Sequence, residues 1–184
     1  MDNIVPWERG LNKSGTMNKK IMAKNLLDFK EVMDKHKIPF VFIFGTLLGV
    51  VREGDFISCD NDVDTMCFAK DHRKIAPVIK ELRAKGFYVP DKNECPLHDH
   101  FFIRDGEKIE IWWFDKIDKY QEYVYDNVVR YPKFYFDHLE EISFLGSHFK
   151  VPSSPECFLE YTYGESWHIP NPKGSYTLRR HKRK

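Results

Sequence analysis

Residues 41–68 read VFIFGTLLGVVREGDFISCDNDVDTMCF. An apolar run turns at Gly45-Thr46 and then, past a polar loop, delivers Asp60, Asp62 and Asp64. Val41 to Phe44 is β-branched and aromatic, which suits a buried strand, and Gly45 ends it where a backbone must turn sharply or approach a ligand closely. Thr46 is placed to cap the short helix expected from Leu47, Leu48, Val50 and Val51. The free N–H groups at that helix start, beside Gly45 and Thr46, make a berth for a phosphate. After Glu53 to Ser58 the pattern changes to period two, with Asp62, Asp64, Met66 and Phe68 on one side of a strand and Val63, Thr65 and Cys67 on the other. Carboxylates at i and i+2 lie roughly 7 Å apart at their Cα atoms. They can reach one cation, and they repel each other without one. Oxygen-only ligands of this kind suit Mg²⁺ or Mn²⁺.

Outward from this stretch, three-to-four spacing of Met22, Leu26, Phe29 and Met33 predicts an amphipathic helix from Asn18 to Lys35, leading into a strand near Pro39. A second helix is expected over Lys70 to Lys85, with Pro77 near its start and Gly86 as its stop, and then a strand over Phe87 to Val89. Asp105-Gly106 between His100–Arg104 and Lys108–Phe114 signals a hairpin. Its second arm, KIEIWWF, holds Glu110 among apolar residues, where a carboxylate requires a cation or hydrogen bonds unless it faces outward. Pattern alone leaves those two readings level. His98 and His100 flank Asp99, and a hydrogen-bonding or substrate-contacting role is favoured over a metal pair.

The tyrosines and phenylalanines from Tyr120 to Phe136 are read as an aromatic second layer of the core, with a stacking pocket for acceptor or base as the alternative. Phe144 to Pro152 reads as a hairpin. A helix should follow through Tyr161, with Ser154 as its cap and Pro155 at its first position.

The chain has 184 residues, 42% hydrophobic and 15% aromatic, enough for one compact domain with a real core. That domain is expected over residues 18–172, between an irregular lead-in at 1–17 and a basic tail at 173–184. With 29 Lys and Arg against 28 Asp and Glu, no global field favours nucleic acid. Only the terminal run Arg179 to Lys184 is strongly basic, and it offers at most a peripheral membrane contact. Cys59, Cys67, Cys95 and Cys157 show no paired spacing, and no apolar stretch reaches the length of a membrane span. A cytoplasmic, soluble protein is expected.

The string GTLLGVVREGDFISCDNDVD resembles the LicD/fukutin family of the nucleotidyltransferase superfamily, whose pattern is roughly GTLLGxxRxxxFIxWDxDxD. Gly45, Thr46, Leu47, Leu48, Gly49, Arg52, Phe56, Ile57, Asp60, Asp62 and Asp64 match. Cys59 replaces the usual Trp, and Asn61 replaces an Asp found in many members. Val151, Pro152, Leu159, Tyr163, Gly164, Trp167 and Pro170 match the C-terminal pattern.

The resemblance implies an α+β fold: a small mixed β-sheet backed by helices, with a C-terminal helix and hairpin extension. It implies Asp62 and Asp64 as metal ligands and Glu110 as the third carboxylate, with Asp115 as the fallback. Gly45 and Thr46 would cradle a phosphate, Arg52 would clamp one, and Asp60 would be a further ligand or a brace for Arg52 and Asn61. The implied activity is phosphotransfer of a phosphocholine or polyol-phosphate head group from a CDP-linked donor to a glycan hydroxyl. The alternative is nucleotidyl transfer to a small molecule, protein or RNA. Two non-catalytic readings remain: a sugar-phosphate binder, and a Ca²⁺ module in which Asp60, Asp62 and Asp64 start an EF-hand-like loop. The latter lacks the required Gly, which is Thr65, and the final Glu, which is Asp71.

Overall fold

The computed structural model describes residues 11, 15–57, 59–91, 100–118, 122–125, 129–171 and 178. Helix α1 (Lys19–Lys35) starts where Asn18 Oδ1 accepts the Ile21 N–H at 3.2 Å. Its inward stripe of Met22, Leu26, Phe29, Val32 and Met33 is fully buried. The chain then enters the sheet through strand β1 (Phe40–Phe42) and turns into α2 (Phe44–Glu53). Strand β2 (Asp62–Phe68) returns antiparallel to β1, pairing Phe40 with Cys67 and Phe42 with Thr65.

A crossover follows. Ala69–Lys74 is a 3₁₀ helix and Ile75–Ala84 is α3, so the helix expected from Lys70 is divided. Pro77 accounts for the break, because its ring opposes the carbonyl of residue 73 in a continuous α-helix. Gly86, at φ 88°, ends the unit. The expected strand over Phe87 to Val89 shrinks to a single antiparallel bridge, Tyr88 to Ile103.

The Asp105-Gly106 turn, with φ 52° and 86°, joins β3 (His100–Arg104) to β4 (Glu107–Ile117). Strand β4 is the hub of the sheet. It pairs parallel with β2 from Asp62–Lys108 to Phe68–Phe114, and antiparallel with β3 and with β5 (Glu122–Tyr125). Strand β6 (Val129–Pro132) closes one edge. The strands run β6-β5-β4-β2-β1 and on to β8 (Ser147–Val151) and β7 (Glu140–Phe144), with β3 beside β4.

Strands β7 (Glu140–Phe144) and β8 (Ser147–Val151) form the C-terminal hairpin, and β8 lies parallel to β1 through Val41 and Lys150. The hairpin expected as an extension is thus the far edge of the same sheet. The aromatic stretch supplies β5, β6 and the short α4 (Phe134–Asp137), whose rings pack with Phe114 and Phe158. Tyr123, Tyr131, Tyr135 and Phe136 are buried, as a second core layer requires. Helix α5 (Pro155–Tyr163) has Pro155 at its start, but Ser154 does not cap it with its side chain. The Ser154 backbone instead lies at φ 51°, and its N–H donates to Glu140 at 2.7 Å.

Candidate active site

Parallel pairing of β2 with β4 puts Asp62 beside Lys108, Asp64 beside Glu110 and Met66 beside Trp112. Side chains at alternate positions share a face, so carboxylates from two strands meet on one side of the sheet. Asp62, Asp64 and Glu110 each offer an oxygen, and these three atoms lie within 4.8 Å of one another. The register therefore selects Glu110 as the third carboxylate. Asp115, which is exposed and pairs with Val124 of β5, is not in the group.

Helix α2 fixes the backbone under this cluster. The chain leaves β1 through Ile43 and Phe44, and Phe44 adopts φ 48°, a left-handed conformation that costs energy for a bulky residue. Its ring is held edge-on to Trp112, with centroids 5.1 Å apart. Ile43, not Thr46, occupies the N-cap position, so the expected cap role of Thr46 is replaced by another. Thr46 Oγ1 lies within the first turn and accepts the Asp64 N–H at 2.8 Å, while the Ile43 N–H donates to the Asp64 carbonyl at 3.4 Å. Both backbone polar groups of Asp64 are thus held, one by α2 and one by its N-cap residue.

The Asp60 carboxylate lies close over Gly45: a Cβ there would stand 2.3 Å from Asp60 Oδ2 and would push that side chain aside, so the carboxylate rests directly against the start of α2. Gly49 is required by close approach one turn later, where a Cβ would fall 2.6 Å from the Asp55 carbonyl oxygen and 2.9 Å from the Ile57 nitrogen, both backbone atoms. The returning loop can therefore pack on the helix and carry Asp60 back to its N-terminal end. A cleft of about 250 Å³ opens here, lined by Phe44, Gly45, Cys59, Asp60, Asp64, Trp112 and Tyr163 among others.

The electrostatics are those of crowded carboxylates. Burial, and then the neighbouring charges of Asp62, Glu110 and Asp60, push the Asp64 carboxyl well above its ordinary range. Burial and the Asp62 charge push Asp60 up to about 7. Lys108 Nζ lies 2.8 Å from Asp62 Oδ2 and 2.9 Å from Glu110 Oε2. Burial works against its ammonium, but the Asp62 and Glu110 charges outweigh it and hold the group above its ordinary value. Trp112 Nε1 donates to Asp64 Oδ1 at 3.1 Å. This donor set suits a hard divalent cation: three carboxylates from two rigid strands, with their mutual repulsion only partly relieved by one lysine. Asp62, Asp64 and Glu110 can bind such a cation.

Arg52 is placed elsewhere. Its guanidinium donates to the Trp167 carbonyl at 3.3 Å and to Glu53 Oε1 at 2.6 Å, tying the end of α2 to the chain after α5, and it does not line the cleft. His100 Nδ1 accepts the Trp113 indole N–H at 2.9 Å beside the His72 ring, the hydrogen-bonding role expected of it. His98, Cys95 and the basic run Arg179 to Lys184 lie outside the described residues.

Sequence reading missed Lys108 and Trp112. Their signal was present in KIEIW, where period two sets Lys108, Glu110 and Trp112 on one face. It carried no weight until the register with β2 showed which face that was.

Two structures of the antibiotic-resistance factor ANT(2'')-Ia resemble this chain. One is a solution structure that reveals substrate-regulated conformation dynamics; it matches at TM-score 0.55 and 13% identity, covering 83% of this chain and 75% of the other. The second, a complex with adenylyl-2''-tobramycin, matches at TM-score 0.52 and 13% identity, covering 82% and 79%. The lincomycin-bound lincosamide antibiotic adenylyltransferase LnuA matches at TM-score 0.53 and 16% identity, covering 79% and 91%. At such identities these likenesses show the fold, which is nucleotidyltransferase-like. No curated protein sequence matches the chain. Residues 37–154 match the family described as LicD/FKTN/FKRP, nucleotidyltransferase domain, a span that holds β1, α2, the three carboxylates, Lys108 and Trp112. The chain belongs to the LicD/FKTN/FKRP nucleotidyltransferase-domain family, and its chemistry is that of a transferase.

Proposed function

We propose that this protein moves a phosphorylated head group, of the phosphocholine or polyol-phosphate type, from a CDP-linked donor to a sugar hydroxyl of a glycan, releasing CMP. The observation that carries the reading is the convergence of Asp62, Asp64 and Glu110 within 4.8 Å, in a chain of this family. These three residues would hold Mg²⁺ or Mn²⁺, which when bound neutralises and aligns phosphate oxygens. Glu110 accepts the proton of the attacking hydroxyl. The backbone N–H groups around Gly45 and Thr46, at the start of α2, donate to a phosphate oxygen once the Asp60 carboxylate has moved off Gly45. Asp60 then serves as a further cation ligand. Phe44, Trp112 and Tyr163 give the cleft apolar walls that stack on a base or sugar and exclude water. Arg52 joins as a phosphate clamp by exchanging its Glu53 and Trp167 bonds for phosphate oxygens, which accept a guanidinium bidentately. The reaction is placed in the cytoplasm, at a membrane surface where the acceptor is lipid-linked. Among the described residues no helix is long and apolar enough to cross a membrane.

The test is mass spectrometry of products after incubation with Mg²⁺, a panel of sugars, and CDP-choline, CDP-ribitol or CDP-glycerol. Asp62→Ala and Glu110→Ala variants run in parallel. CMP together with a phospho-head-group adduct on a sugar, abolished in both variants, is the expected result. A nucleotide covalently attached to the acceptor would replace this reading with nucleotidyl transfer on the same carboxylates. Absence of turnover with every nucleotide donor would point to a binding protein.

A further inference from the structure

Lys108 is placed where a cation belongs. Its ammonium bridges Asp62 and Glu110 at 2.8 and 2.9 Å, two of the three carboxylates that converge. It reaches them because it stands opposite Asp62 in the β2–β4 register and two residues before Glu110 on the same face. The side chain is only 15% exposed, so the contact is not a surface pair that water screens away. We propose that Lys108 is a built-in counter-ion: it holds Asp62 and Glu110 together before the metal arrives, and it competes with the metal for them.

The proposal rests on the metal-binding reading above and adds what this chain does without metal. Three carboxylates on adjacent strands repel one another, and the β2–β4 pairing that carries the sheet would bear that repulsion if nothing offset it. The ammonium offsets it. A cation that takes Asp62 and Glu110 must replace these two ion pairs or sit beside a like charge, and either weakens its binding. The residue type fits exchange better than permanent bridging. A lysine is a compact point charge on a flexible stem, whereas an arginine would clamp a carboxylate through two parallel bonds. A berth for the displaced ammonium is at hand, since Lys108 Nζ already lies 5.0 Å from the centre of the Phe101 ring.

The experiment measures Mn²⁺ binding by electron paramagnetic resonance of the free ion, and thermal unfolding with and without Mn²⁺. It uses the full chain as wild type, Lys108→Met, Lys108→Arg and Asp64→Asn. Lys108→Met should bind Mn²⁺ roughly tenfold more tightly than wild type, because a buried like charge has been removed. Its midpoint should fall without metal and recover most of the loss with it. Lys108→Arg should bind Mn²⁺ no more tightly than wild type. A lysine serving only as packing would lower the midpoint equally in both conditions and leave Mn²⁺ affinity unchanged, and that result would overturn the proposal. So would weaker Mn²⁺ binding in Lys108→Met. Should Lys108→Met fail to fold without metal, Lys108→Gln is read by the same two measurements. If wild type and Asp64→Asn alike bind no Mn²⁺, the metal reading itself fails. If wild type binds and Lys108→Met binds equally, only the exchange fails.

Discussion

The two faces of the β2–β4 pair divide between them the fourteen residues of its seven paired positions, yet they are composed for opposite ends. One face sets Val63 beside Ile109 and Thr65 beside Ile111, all fully buried, and Phe102 across from Ile109 passes the contact on to Phe29 of α1. The other sets Asp62 beside Lys108 and Asp64 beside Glu110. The apolar face gains stability from burial. The polar face works against it, since it gathers like charges that Lys108 and the Trp112 indole relieve only in part. The difference teaches that the site's geometry is set from behind. With a side-chain period of two, the packing of Ile109 and Val63 fixes which residues face the cleft and in what register.

Breaking each face separately should therefore break different properties. Asp64→Asn removes a charge from the site and leaves the apolar face intact. Turnover of the CDP-linked donor should fall by about 10³-fold or more, because several kcal/mol of charge stabilisation depend on the ligand set. The far-ultraviolet circular dichroism spectrum and the metal-free midpoint should stay at or above wild type. Ile109→Ala is the mirror experiment. It should cost about 3 kcal/mol in denaturant unfolding, as the loss of a fully buried branched side chain does. The protein that remains folded should turn over within a few-fold of wild type. If Ile109→Ala instead abolishes turnover with little loss of stability, the two faces are not separable and the comparison fails.

Much of this division was legible in the sequence, for a physical reason that also marks its limit. Period two along DVDTMCF sorts the carboxylates from Val63, Thr65 and Cys67 with no knowledge of the partner strand, and the Asp105-Gly106 turn fixes the hairpin that carries Glu110. What could not be read was pairing between distant segments. The parallel β2–β4 register is set by packing across a crossover, so KIEIW alone left Glu110 undecided and gave Lys108 and Trp112 no partner. Local rules also failed where tertiary contacts overrode them. Thr46 has the right chemistry for a cap, but its hydroxyl goes to Asp64 on the neighbouring strand. Arg52 matches a phosphate clamp by position, and its ligand-free contacts with Glu53 and the carbonyl of Trp167, 115 residues away, have no signal in the local sequence.

Smaller changes sharpen the link between the faces. Thr46→Val keeps the shape of the side chain and removes the acceptor for the Asp64 N–H. It should cost about 1–2 kcal/mol, the penalty of a buried donor left without its partner. It should also lower turnover more than an equally destabilising change at Ile109. Equal losses of turnover at equal stability would show that the α2 contact supports the fold without positioning Asp64.

The smallest effect expected is a pH slope, and it isolates Asp60. In the metal-free protein this carboxyl is raised from 3.8 to about 7, chiefly by burial and then by the Asp62 charge. A raised acid pKa means that the folded state keeps a proton the unfolded chain releases. Stability from this group is therefore full below about pH 4 and is lost as pH rises towards 7. The amount should be on the order of 1 kcal/mol once screening at a partly exposed carboxylate is allowed for. Asp60→Asn should flatten that slope in urea titrations run with a chelator between pH 4.5 and 8. Because Asp60 rests on Gly45, at the place proposed for a donor phosphate, a slope that survives Asp60→Asn would move the charge strain to Asp64. A slope that vanishes would make Asp60 the one acid that must be displaced or neutralised before the start of α2 can take a phosphate.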